Sequence, residues 1–213
     1  MNILKKKGIK MSKKNKTPVV DIICILDRSG SMLRMQTEVI NSFNEFVKDQ
    51  LLEKGRARLT LVLFDDKYEV IHDRVKLKDV PELTSDVYFA RGMTSLMDAV
   101  GKTLTANDAK DAMVLIQTDG NENSSQEFNQ ADIKKLIKEK EDKGWDFLFL
   151  GANIDAATTG AGYGLHASKT SQFASNDAGI KMSFDVMKAS ASGYRDMKAA
   201  EFLDTQDPKD EDK

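Results

Sequence analysis

The 213-residue sequence is poor in cysteine, proline, tryptophan and histidine, with one, three, one and two of each. A single Cys24 cannot form an internal disulfide, so the fold is not a stapled scaffold; inside an apolar run it reads as a small core residue. No apolar stretch approaches the roughly 20 residues that would span a bilayer. The lysine-rich amino end lacks the apolar segment of a secretory signal. A net charge of -2 gives no general reason to expect nucleic acid or a membrane as partner. These absences together favour a cytoplasmic protein.

What is present describes one ordinary soluble domain. The chain is 40% hydrophobic and 31% charged, long enough for a single well-formed core, and no linker splits it. Residues 1–17 carry Lys5, Lys6, Lys7, Lys10, Lys13, Lys14 and Lys16 with few apolar anchors. They read as a basic disordered tail, and 199–213 as an acidic one. The domain is then expected over 18–198.

Val19 to Leu26 is a nearly continuous apolar and β-branched run, the pattern of a strand buried on both faces. Val39, Phe43, Phe46, Val47 and Leu51 follow at helical spacing, and Gly55 can stop that helix. Leu59–Phe64 reads as a second strand. Asp65-Asp66-Lys67 leads at once into Tyr68–Ile71, and so short a link permits only an antiparallel hairpin. A helix from Ser95, a strand Met113–Gln117, a helix carrying Ile133 and Ile137, and a strand Trp145–Leu150 come next. A short helix capped by Asp155, a weak strand around Ser168–Phe173 and a final helix with Ile180, Phe184, Met187, Ala191 and Tyr194 complete the series. This alternation predicts an α/β fold: a doubly wound, mostly parallel six-stranded sheet with one antiparallel edge strand.

In such a sheet, ligands bind beyond the carboxyl ends of strands where the winding reverses. Asp27-Arg28-Ser29-Gly30-Ser31 directly follows the first strand and offers a carboxylate and two hydroxyls in one loop. Thr118-Asp119-Gly120 follows the Met113–Gln117 strand, and Arg91-Gly92-Met93-Thr94-Ser95 precedes a helix. Carboxylate, hydroxyl and water oxygens are the ligands of hard divalent cations.

These three pieces, in this order, make the chain resemble a von Willebrand factor type A domain with a metal-ion-dependent adhesion site. The D-x-S-x-S element stands at Asp27, Ser29 and Ser31, the loop threonine at Thr94, and the T-D-G element at Thr118-Asp119-Gly120. The resemblance spans about residues 18–198 and is weakest after Ala152. It implies a metal set of Asp27, Ser29, Ser31, Thr94 and Asp119. The three hydroxyls would ligate directly, and the two aspartates largely through water. Mg2+ or Mn2+ fits that set. Zinc is disfavoured, because His72, His166 and Cys24 all lie outside it. The implied function is non-enzymatic: metal-dependent binding of a partner protein through its Asp or Glu carboxylate. A metal-dependent phosphotransferase or hydrolase is the alternative, although those that form an aspartyl-phosphate usually carry a second Asp where Ser29 stands. A subunit docking onto an ATPase, virion or stress-response assembly is another.

Plainer readings stand beside these. Ser29 and Ser31 could be turn and cap residues, and Asp119-Gly120 a simple turn. Asp98 fits a first-turn helix acid, and Asp65-Asp66 fits hairpin turn chemistry. Glu122 and Asn123 read equally as site rim or solvated loop. Gly160-Ala161-Gly162-Tyr163-Gly164 lacks the spacing of a dinucleotide loop.

Overall fold

The computed structural model describes residues 18–205; the tail expected over 1–17 lies outside them. Six strands form one sheet: β1 (Val19–Asp27), β2 (Arg56–Phe64), β3 (Tyr68–Lys76), β4 (Ala112–Thr118), β5 (Asp146–Gly151) and β6 (Thr170–Gln172). Their order is β3-β2-β1-β4-β5-β6, and only β3 runs antiparallel, paired to β2. The expected doubly wound sheet with one antiparallel edge is therefore present.

Alternation along β1 divides the core into two layers. Ile22, Cys24 and Leu26 face a cluster built with α1 (Gln36–Leu52) and α5 (Asp177–Asp204). Ile23 and Ile25 face the opposite cluster, built with α2 (Leu96–Ala106) and α3 (Gln130–Glu141). All five side chains are fully buried. Each isoleucine and the leucine contributes about 1.5–3 kcal/mol by leaving water, and burial on both faces is why β1 reads as an unbroken apolar run. A short α4 (Ala156–Gly162) precedes β6. Among the described residues no helix is long and apolar enough to cross a membrane.

Two boundaries differ from expectation. β3 continues five residues past Ile71, through His72, Asp73 and Arg74. Its register slips against β2, and Arg74 adopts a φ of 50°, so a bulge breaks the alternation a sequence pattern would show. The bulge is held because the Arg74 N–H donates to Thr60 Oγ1 and its guanidinium to Asp21. At the other end, α5 runs to Asp204, past the boundary expected at 198. Lys198, paired with Asp111 and Glu201, ties this last stretch to the domain.

β1 has parallel neighbours on both sides, β2 and β4, reached by connections on opposite faces. The winding reverses here. Asp27 and Thr118 thus close adjacent strands at the switch point of the sheet.

Candidate metal centre

The site is assembled from the carboxyl end of β1 outward. Asp27 is 0% exposed. Its Oδ1 accepts the Ser29 N–H at 2.7 Å, and its Oδ2 accepts the Thr118 hydroxyl at 2.6 Å. The first bond folds the loop back on itself; the second joins β1 to β4. The Ser29 and Ser31 hydroxyls lie 3.1 Å apart, and Ser31 Oγ donates to Asp119 Oδ1 at 2.5 Å.

The third loop is brought in through its backbone. The Gly30 N–H donates to Gly92 O, and Thr94 exchanges two hydrogen bonds with Asn123: Thr94 N–H to Asn123 Oδ1, and Asn123 N–H to Thr94 O. A Cβ placed on Gly120 would lie 3.6 Å from Thr94 Oγ1 and 3.8 Å from Ser31 Oγ, so the two hydroxyls converge over this glycine. Among the described residues no hydrogen bond engages Thr94 Oγ1. The structure thus brings Asp27, Ser29, Ser31, Thr94 and Asp119 into one cluster.

Its electrostatics are one-sided. Burial pushes the Asp27 carboxyl up to about 6, opposed by the Thr118 and Ser29 hydrogen bonds and reinforced by the neighbouring Asp119 charge. Burial also raises Asp119, although Ser31 and Ser175 donate to it. Among the described residues no Lys, Arg or His pairs with either carboxylate. Two buried acids beside the three hydroxyls of Ser29, Ser31 and Thr94, with no cationic partner among the described residues, form a donor set suited to a hard divalent ion. Among the described residues no group of three or more His, Cys, Asp or Glu is placed to hold a metal ion, so an ion at this cluster would need the hydroxyl oxygens as well as the two carboxylates.

Arg28 lies inside the motif yet turns away from it. Its Nε donates to Asp65 Oδ2 at 2.8 Å, Nη2 makes an ion-pair contact of 2.8 Å with Glu69, and the guanidinium stacks over Phe89. Arg91 donates to the same Asp65 oxygen and to Glu69. Asp65 Oδ1 accepts the Lys67 N–H, which is the expected turn chemistry. The ion-pair lattice around it was not foreseen. This lattice clamps the loop carrying Thr94 onto the β2–β3 hairpin. Gly92 packs there with φ 67°, and any Cβ would strike Asp66.

Three further residues hold the site without belonging to it. Asp98 accepts the N–H groups of Gln126, Glu127 and Phe128, so it anchors the loop after Asp119 as well as opening α2. Glu122 accepts from the Met97 N–H at the start of α2 and from Ser124 and Ser125 in its own loop. Asn123 fixes Thr94. Glu122 and Asn123 thus build the rim, in a loop where Asn123 itself stays exposed.

No protein-family model and no curated protein sequence matches this chain. Solved structures do. Proximal thread matrix protein 1 from the mussel byssus superposes with a TM-score of 0.62 at 14% identity, over 82% of this chain and 46% of that one. This chain thus spans about half of that protein's length; another structure of the same protein is described as having a zinc-occupied MIDAS motif. The von Willebrand factor domain of the type V pili tip protein Mfa5 from Porphyromonas gingivalis gives 0.62 at 12% identity, over 83% of this chain and 95% of that one. Manganese-loaded TRAP protein from Plasmodium vivax gives 0.54 at 17%, over 76% and 71%. At these identities the likeness establishes architecture, and the chain has the fold of a von Willebrand factor type A domain.

Proposed function

We propose that this protein is a divalent-cation-dependent binding module that engages a carboxylate of a partner protein. The observation that carries the reading is the pair of buried acids, Asp27 and Asp119, joined through the Ser29–Ser31 loop and paired with no cationic side chain among the described residues. Ser29, Ser31 and Thr94 would hold the ion through their hydroxyl oxygens, with Asp27 and Asp119 orienting those hydroxyls and any bound water. Mg2+ or Mn2+ would supply positive charge and an open coordination position for one carboxylate oxygen of an Asp or Glu. Asp27, tied to Thr118 and Ser29, keeps the first loop fixed, while Asn123 fixes the third. Such a prebuilt cradle serves recognition; the proposed role is non-enzymatic. The solved neighbours described with zinc or manganese support a divalent ion in this fold without selecting magnesium.

Calorimetry with Mg2+ and Mn2+ relaxation measurements test the reading. One site is expected, weakened at least tenfold by Thr94→Ala and by Asp119→Ala. Binding unchanged in both variants would move the ion elsewhere and end the proposal.

A further inference from the structure

The metal centre and the far end of α5 lie at opposite poles of the domain. Ser175, just before the helix, donates to Asp119 Oδ2, so α5 begins at the site. Tyr194 bonds Gly144 O and Lys198 pairs with Asp111, where β5 and β4 begin. The helix then continues to Asp204, its 28 residues spanning about 42 Å. Leu203, 65% exposed, lies in its last turn. Beyond Thr205 the sequence carries Asp207, Asp210, Glu211 and Asp212 against Lys209 and Lys213.

These carboxylates are out of range of the metal centre of their own chain. Asp212, the farthest, stands seven residues past Thr205 and reaches about 25 Å at full extension. The site is about 40 Å back along α5, and the shortfall far exceeds the length of an Asp or Glu side chain. A neighbouring molecule has no such restriction.

The pole with the metal centre offers matching chemistry. Ser31 and Arg34 are three residues apart on the short 3-10 helix Gly30–Arg34, where side chains at that spacing eclipse, so Arg34 stands beside the site. It is exposed, and among the described residues no acid pairs with it. Leu33 overlies Gly30 in the same way, and the Gly30 N–H is bonded to Gly92 O, next to Met93. Leu33 and Met93, 60% and 52% exposed, form an apolar shoulder there. Of the nearby acids, Glu122 is engaged by Met97, Ser124 and Ser125, and Asp155 by Thr158. Asp66 beside Gly92 and Asp177 at the start of α5 are exposed and oppose an incoming carboxylate, so attraction depends on the ion and Arg34. Resting on the metal-dependent reading above, we propose that a second copy of this chain supplies the carboxylate, from Asp207, Asp210, Glu211 or Asp212, with its Leu203 against Leu33 and Met93. Donor and acceptor lie at opposite poles, so the contact is head-to-tail, closing as a reciprocal pair or continuing as a chain.

So small a contact belongs to the weak, transient class, and sedimentation equilibrium of the full-length protein, followed to high concentration, tests it. In Mg2+ the average mass is expected to rise with concentration above that of one chain; in excess chelator it should stay there. A variant combining Asp207→Asn, Asp210→Asn, Glu211→Gln and Asp212→Asn should remain monomeric yet bind Mn2+ as the wild type does. Thr94→Ala, with the acidic segment intact and the site weakened, should self-associate at least tenfold more weakly. Mixed in Mg2+, these two variants should form a one-to-one complex. Arg34→Glu and, separately, Leu33→Ser should weaken association severalfold. A mass that rises equally in chelator, or equally in the neutralised variant, overturns the proposal. So does a wild type that binds Mn2+ yet stays monomeric throughout; the metal-dependent reading then survives with a carboxylate from another source. If Mn2+ does not bind at all, that reading and this proposal fall together.

Discussion

Asp27 and Asp65 close or follow neighbouring strands at the same edge of the sheet, and both are 0% exposed. Their surroundings are opposite. Asp65 meets two guanidiniums, Arg28 and Arg91, and its carboxyl lies below the ordinary range: burial works to raise it, but the hydrogen bonds from Arg91, Lys67 and Arg28 outweigh that. Among the described residues Asp27 meets the Ser29 amide, the Thr118 and Ser29 hydroxyls and a second acid, and burial lifts it to about 6. One carboxylate is satisfied by the protein and acts as an anchor. The other is held in place but left electrically incomplete. Proximity in the fold says little about role here; the identity of the countercharge separates structure from site.

The sharpest way to break this comparison is to remove the anchor. Asp65→Ala leaves Arg28 buried beside only the Glu69 contact and a long bond to Val87 O. Breaking a buried ion pair outright costs about 3–5 kcal/mol; with Glu69 and the Phe89 ring still facing Arg28, a denaturant melt should show a loss at or just below the lower end of that range, about 2–3 kcal/mol. A loss below about 1 kcal/mol would reduce the lattice to an ordinary surface pair.

The next effect reverses the usual direction of acid denaturation. Asp27 binds its proton more tightly in the folded chain than at the ordinary value of 3.8, so between about pH 4 and 6 the folded state carries the extra proton. Stability of the chelated protein from this group is therefore complete below about pH 4 and declines as the pH rises through about 6. The two values imply a decline of about 3 kcal/mol. Melts across this interval should show that slope in the wild type and not in Asp27→Asn. Added Mg2+ should flatten it by favouring the ionised carboxylate. A wild-type slope equal to that of Asp27→Asn would mean that Asp27 is not electrically incomplete.

The same contrast explains what could be read from the chain. Val19–Leu26 and Met113–Gln117 announced themselves because strands buried on both faces leave unbroken apolar runs. Asp27, Ser29 and Ser31 were legible because three oxygens on one loop form a local pattern, and Thr94 and Asp119 because the resemblance supplied their order. Asp98 and Glu122 were visible as a helix acid and a candidate rim residue, but their anchoring contacts were not, because their partners lie 25–30 residues away and no spacing rule links them. Arg28 and Asp65, 37 residues apart, were hidden for the same reason. The outer half of β3 escaped because an edge strand with a bulge needs neither alternation nor hydrophobicity.

The smallest effect on the fold should accompany the largest effect on the site. Thr94→Val keeps the shape of the side chain and deletes one oxygen. Thr94 is placed by its backbone, through the paired hydrogen bonds with Asn123, and those bonds survive the exchange. Since no group among the described residues bonds to Oγ1, nothing buried there is left unmet, and the melt should move by no more than about 0.5 kcal/mol. Mn2+ affinity should nevertheless fall at least tenfold, while Thr94→Ser, which restores the oxygen, should keep it. Asn123→Ala separates position from ligation: the hydroxyl remains but its backbone loses the side-chain anchor, so affinity should drop by less than in Thr94→Val. If Thr94→Val destabilised the protein as Asp65→Ala does, Thr94 would be an anchor like Asp65. If it left Mn2+ binding intact, the oxygens converging over Gly120 would not be the ones that hold the ion.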